Sequence, residues 1–262
     1  MLDWLHLPVA ASAHAGDIDQ VLVLTHGLMV VLFVGWATYL LYVLVRFRRR
    51  RQPTASYAGP RGRWSLWVEG GVLAAEVVLL VVFSTPVWNA RIQALPSEAE
   101  SLVVRVVAEQ FAWNVHYPGP DGVFGLASPA LISPDNPLGL DPADAAGRDD
   151  LVTINQLAMP VGRPVIVHLS SKDVIHSFAL PEMRVKQDAI PGTLQTVWFT
   201  PTRLGSWEIV CSQLCGLAHY RMRGFYDVMT ADDFDAWLAE EAAAQAAVVQ
   251  DNAGPDDAVP QP

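Results

Sequence analysis

Hydrophobic positions divide the chain into two unlike parts. Residues 21–45 form an almost unbroken apolar run, and residues 66–88 form a second one that closes at Pro86. At ~1.5 Å of rise per residue, either run exceeds a ~30 Å hydrocarbon core, so each predicts a membrane-spanning helix with some tilt. From Ser101 the pattern shortens to β-branched stretches, beginning with Leu102-Val103-Val104-Arg105-Val106-Val107. Similar stretches cover residues 164–169, 194–199, 205–210 and 224–229, with Pro and Gly turns between them. Short strands at such spacing predict an all-β sandwich. The Pro-, Gly- and Asp-rich segment between residues 117 and 150 reads as a long surface insertion. Thr230-Ala231-Asp232-Asp233 has capping-box spacing and opens a short C-terminal helix with Phe234, Trp237 and Leu238 on one face. A Pro- and Asp-rich tail from about Asp251 reads as disordered.

These elements give a domain plan. Residues 1–20 form an N-terminal extracytoplasmic segment, 21–92 a transmembrane hairpin, 97–230 the sandwich, and 231–262 the terminal helix and tail. Ala13-His14-Ala15 resembles a small-residue cleavage site, but no basic stretch precedes it and the apolar core before it is weak.

Charge orients the plan. Arg46, Arg48, Arg49, Arg50, Arg51, Arg61 and Arg63 crowd the connection between the two apolar runs. The positive-inside rule places that loop in the cytoplasm and both termini outside, and Trp64, Trp67 and Trp88 fit aromatic anchors at the interfaces. Glu69 and Glu76 lie seven apart, on one face of the second span. Carboxylates in a membrane are costly and face a protein partner or a water path. The expectation is that this face packs on a larger membrane subunit. His26, near the start of the first span, reads as a helix-packing histidine.

Composition is 52% hydrophobic, and the formal net charge is −10. From Arg91 onward there are 10 basic and 22 acidic residues, a net of −12. A nucleic-acid partner is excluded on this balance, because phosphate binding needs a basic face. An acidic surface predicts a basic protein partner steered by charge.

The chemistry gathers in Cys211-Ser212-Gln213-Leu214-Cys215-Gly216-Leu217-Ala218-His219-Tyr220-Arg221-Met222. Both cysteines of the chain are here, four apart, and a bridge closing so small a loop would stabilise little. Metal ligation or redox exchange is the better reading. Thiolate, imidazole and thioether together form a soft set, and thioether favours copper. His176, in Asp173-Val174-Ile175-His176-Ser177, supplies the second imidazole. Two thiolates can bridge two coppers, each capped by one imidazole. Met222 is a weak axial ligand for one, and a backbone carbonyl such as that of Gln213 serves the other. A catalytic metal needs an open position, and this set leaves none, so one-electron transfer is expected. His116 and His168, in strand-like stretches, read as ordinary residues.

These residues resemble cytochrome c oxidase subunit II, the binuclear copper-A subunit of haem–copper oxidases. The family pattern is Cys-x-Glu-x-Cys-x-x-x-His-x-x-Met preceded by Asp-x-x-His-Ser. The resemblance extends to the helix hairpin, to Val185-Lys186-Gln187-Asp188-Ala189-Ile190-Pro191-Gly192 and to Gln110-Phe111-Ala112-Trp113. It implies a cupredoxin fold, with Cys211 and Cys215 bridging two coppers and His176 and His219 terminal. Met222 would share the copper of His176, and the Gln213 carbonyl that of His219. The resemblance further implies a two-pass subunit of the bacterial cytoplasmic membrane, its copper domain periplasmic. Its partners would be subunit I, subunit III and a cytochrome c or other c-type donor. Electrons would pass on to haem in subunit I, where oxygen is reduced and protons are pumped. Two departures stand out. Gln213 replaces a Glu whose carboxylate faces a magnesium ion at the subunit I interface, which puts that ion in question here. Phe111 stands where the family has a Trp that takes up electrons, leaving Phe111 or Trp113 to serve. No cytochrome c domain is fused in this chain, so a separate donor is expected. The alternative from another class is a membrane-anchored copper-delivery or thiol–disulfide protein. The spacing of His219 and Met222 argues against it, as the intact ligand set argues against a copper-free quinol oxidase subunit.

Overall fold

The computed structural model describes residues 6–252, except 56, 58, 60 and 61. The disorder expected beyond Asn252, the start of the N-terminal segment, and Pro60 and Arg61 of the basic loop lie outside the described residues. The chain divides into two compact units.

The first unit holds residues 1–6 and 16–95. It contains most of helix α1 (Ala15–Arg46) and a second apolar helix over Trp64–Gln93. Both run longer than their apolar cores predicted, because flanking polar residues continue the hydrogen-bond ladder. The second helix comprises α2 (Trp64–Val78), a π-helical segment (Leu79–Ser84) and α3 (Thr85–Gln93). In the widened turn, the Ser84 and Thr85 hydroxyls donate to Leu79 O and Leu80 O, at 3.3 and 2.9 Å. The His26 imidazole lies 2.7 Å from Leu22 O of its own helix. Glu69 and Glu76 are exposed.

The second unit is a β-sandwich holding residues 7–15 and 96–262. Its strands are β1 (Leu102–Glu109), β2 (Ala112–Tyr117), β3 (Leu151–Ile154), β4 (Gln156–Pro160), β5 (Val165–Ser171), β6 (His176–Leu180), β7 (Val185–Ala189), β8 (Gln195–Phe199), β9 (Gly205–Cys211) and β10 (Arg223–Met229). One sheet has the order β3-β2-β1-β5-β8 and the other β4-β10-β9-β6-β7. Pairing is antiparallel except for β1 with β5 and β10 with β4. Inward positions of β1 alternate as expected, with Val104, Val106 and Ala108 fully buried. They pack with Val115, Leu157, Val167, Phe178, Phe199 and Ile209 into one core. Burying each large apolar side chain contributes about 1.5–3 kcal/mol. The Tyr117 hydroxyl ties the sheets together, donating to Ala158 O at 3.0 Å and accepting from Ala158 N at 2.7 Å. Helix α4 (Ala231–Asn252) starts at the predicted box, where Thr230 Oγ1 accepts from Asp233 N at 3.2 Å.

The N-terminal segment is part of this unit. Ala11 N donates to Glu182 O at 2.9 Å, Ala13 N to Thr200 O at 3.0 Å and Ser12 Oγ to Met183 O at 2.7 Å. Ala11 is fully buried, so residues 8–13 form a strap laid across the sandwich. Cutting at the cleavage-like Ala13-His14-Ala15 would pull a packed residue from the core.

Candidate metal centre

Every expected ligand comes from a strand end or the turn between two strands. Cys211 ends β9, and β10 starts one residue after Met222. The intervening loop carries Cys215, and His219 opens a 3-10 turn, His219–Arg221. His176 begins β6, the neighbour of β9 in the same sheet. Ser212 N donates to Ser177 O at 3.0 Å and stitches the two ligand-bearing segments together.

The donor atoms converge. Cys211 Sγ and Cys215 Sγ are 3.8 Å apart. Each sulfur has an imidazole beside it: His176 Nδ1 lies 3.9 Å from Cys211 Sγ, and His219 Nδ1 lies 3.6 Å from Cys215 Sγ. Met222 Sδ is 3.2 Å from His176 Nδ1 and 3.6 Å from Cys215 Sγ. The Gln213 carbonyl is 3.3 Å from Cys211 Sγ. His176, Cys211 and Cys215 are buried, and their ligating atoms all lie within 4.8 Å of one another.

Hydrogen bonding fixes what these atoms offer. His176 Nε2 is 2.9 Å from Asp173 Oδ1, so that nitrogen carries the proton and donates it to the carboxylate. Nδ1 then presents a lone pair, and it faces the thioether of Met222, which has no proton either. Two acceptors at 3.2 Å cannot bond to each other. A soft cation between them resolves the conflict, so the donor set fits copper. Burial first, then the neighbouring Cys211 thiol, pushes the Cys215 thiol up to about 11. Both effects oppose a bare thiolate here, and cation binding would displace the protons. Asp173 is held below its usual value despite burial, which acts the other way, because His176 and the backbone N–H groups of Gln110 and Val174 donate to it.

Sequence reasoning missed the clamp that holds the loop. Gln110 N donates to Asp173 Oδ2 at 2.7 Å, and Gln110 Nε2 donates to Cys215 O at 2.6 Å. One residue thus grips both the partner of His176 and the backbone of Cys215. Gly216 follows at φ +141°, and a Cβ there would come within 2.6 Å of Gln110 Nε2 and 3.1 Å of Phe111 Cζ. Glycine is required by both conformation and space. The two aromatic residues expected to take up electrons are placed differently. Trp113 is fully buried, edge-on to His176 with ring centroids 6.1 Å apart. It can meet no partner protein directly. Phe111 is half-buried beside Gly216. Glu69 and Glu76 belong to the helical unit.

Fold and site together define a membrane-anchored cupredoxin-like protein with a cluster of soft donors that could hold a metal. Residues 102–227 match the family model for cytochrome c oxidase subunit II, periplasmic domain. The alternative cytochrome c oxidase subunit 2 of Bradyrhizobium diazoefficiens is 33% identical over 239 residues, covering 91% of this chain and 84% of that protein. The cytochrome c oxidase subunit 2 of Synechocystis sp. is 28% identical over 257 residues, covering 91% and 76%. Among solved structures, the periplasmic domain of subunit II of cytochrome oxidase from Bradyrhizobium japonicum is 30% identical, covering 57% of this chain and 97% of that one at a TM-score of 0.42. The chain belongs to the cytochrome c oxidase subunit II family, and is a subunit of a haem–copper oxidase.

Proposed function

We propose that this chain accepts electrons from a c-type cytochrome and passes them to haem in subunit I, where oxygen is reduced and protons are pumped. The observation that carries the reading is the approach of two lone pairs, His176 Nδ1 and Met222 Sδ at 3.2 Å, beside two sulfur atoms 3.8 Å apart. Two copper ions sharing both thiolates would supply a one-electron carrier whose geometry changes little on reduction. The residues do the positioning. Cys211, Cys215, His176, His219, Met222 and the Gln213 carbonyl would hold the copper. Asp173 keeps the lone pair of His176 on Nδ1. Gln110 fixes the Cys215 backbone. The buried Trp113 walls His176 from water.

The side of the membrane follows from the arginine-rich loop between the helices and from the family's periplasmic domain. Both support a metal centre on the periplasmic side of a bacterial inner membrane. Subunit I, subunit III and the donor cytochrome are the partners of this reading. Gln213 brings an amide where the family has a carboxylate, so we assign no magnesium to it. The test is metal analysis and EPR of the full-length chain purified in detergent. About two coppers per chain and a mixed-valence signal are expected. A colourless protein with one copper would sink the reading in favour of copper delivery.

A further inference from the structure

The donors of the cluster are held in two different ways. Cys211 ends β9, His176 begins β6, and Met222 stands one residue before β10. All three are buried, and their backbones belong to one sheet. Cys211 N donates to Met222 O at 3.4 Å, and β6 pairs with β9 through Phe178 and Cys211. Cys215 and His219 stand on the loop instead. Its backbone bonds are local: His219 N donates to Gly216 O at 3.1 Å, and Arg221 N to Ala218 O at 3.1 Å. Such bonds shape the loop without fastening it to the sandwich.

The fastening comes from the opposite sheet. Gln110 lies in the turn between β1 and β2, and its Nε2 donates to Cys215 O at 2.6 Å. Among the described residues, this is the only hydrogen bond from that sheet to the loop. The neighbouring Phe111 lies against Gly216 and adds packing. Gln110 N separately donates to Asp173 Oδ2 at 2.7 Å. The two grips can be taken apart. A backbone N–H survives any substitution except proline. The side-chain grip needs a donor of the right reach, and an ionised glutamate of the same length is acceptor-only.

We propose that the Gln110 side-chain amide is the positioning group that lets the centre keep a second metal ion. This rests on the copper reading above and deepens it. Without the amide, Cys211, His176 and Met222 stay where their strands put them. His176 Nδ1 is 3.2 Å from Met222 Sδ and 3.9 Å from Cys211 Sγ, so this set alone offers thiolate, imidazole and thioether to one soft cation. Cys215 Sγ and His219 Nδ1, 3.6 Å apart, add to that set only while the loop is held. Releasing the loop therefore separates two metal affinities that the intact clamp keeps together.

The experiment uses the copper-loaded full-length chain in detergent, dialysed against a graded series of copper chelator. Copper per chain is read by mass spectrometry beside the EPR spectrum. In Gln110→Ala and Gln110→Glu the first copper should leave at about tenfold lower chelator than in the parent, the worth of about one hydrogen bond. The last copper should leave as in the parent. The one-copper spectrum should match that of His219→Ala and differ from that of His176→Ala. Gln110→Lys, whose flexible stem can bring an ammonium to the same carbonyl, should recover most of the loss. Thermal unfolding of copper-free Gln110→Ala should match the parent. The proposal is overturned if both coppers weaken equally, if neither does, or if the remaining spectrum is that of His176→Ala. A lowered unfolding temperature of copper-free Gln110→Ala would also sink it, by making Gln110 a general brace. If the parent itself never holds a second copper, the copper reading falls before any variant is compared.

Discussion

Two buried histidines of the sandwich each lean on an aspartate, and they do opposite things. His176 holds Asp173 at 2.9 Å through Nε2 and turns Nδ1 toward sulfur. His116 holds Asp150 at 2.6 Å, and its ring lies edge-on to Phe124 at 4.9 Å. Asp150 in turn accepts from Gly125 N at 2.8 Å and Gly119 N at 3.2 Å, at the root of the insertion. The first dyad is open on one side to further donors. The second is closed by aromatic and backbone groups, and Arg105 stacks on Phe124 at 4.1 Å. A His–Asp pair is therefore not itself a functional signature. What the second ring nitrogen faces decides whether the pair prepares a ligand or fastens a loop.

The contrast can be broken most forcefully at the closed dyad. His116→Ala strands Asp150 in the interior and should cost about 3 kcal/mol of stability. Thermal unfolding of the full-length chain should register this, while copper per folded chain stays at the parental value. A loss of copper instead would mean that the two dyads are coupled. Asp173→Asn tests the open dyad. It leaves size unchanged but weakens the hold on the Nδ1 lone pair, and copper affinity in a competition titration should fall about tenfold. Unfolding of the copper-free chain should move little, because Asp173 is only partly buried. The mildest test is pH. Burial lowers the His116 pKa from 6.5, and Asp150 only partly offsets this. The unfolded chain then binds the proton more readily than the folded one, so the group's stabilisation is complete above about pH 6.5 and declines as pH falls below it. His116→Gln should flatten that part of the stability curve. An unchanged curve would show that His116 does not set it.

How much of this could be read from the sequence depended on how locally each feature is encoded. β1 alternates cleanly, so its period identified it. β6, His176–Leu180, is buried at every position and has no period to find. β7 hides in Lys186-Gln187-Asp188, and β2 turns Trp113, Val115 and Tyr117 to the core while Asn114 and His116, on its other face, are buried as well, which masks the alternation. The ligand loop was legible because its donors lie within one stretch, 211–222, and spacing alone brings them together. The Gln110 clamp was not, since its partner carbonyl is 105 residues away. Nor was the His116–Asp150 pair, which depends on the insertion folding back over β2. The expectation of a charge-steered partner rests on net composition, which does not record where the charges stand.

The strap of residues 8–13 has a consequence in time. Its partners Glu182, Met183 and Thr200 lie about 170 to 190 positions further along, Ser12 and Met183 being 171 apart. The ribosome delivers the strap first, yet its full set of partners exists only once the chain has passed β8 and reached Thr200. Contacts so distant in sequence form late and slowly. The strap is thus the first stretch of the sandwich to be synthesised and among the last to join it. Until it does, the groups it covers stay open, and a nascent chain can be told from a finished one by whether Ala11 has reached the core.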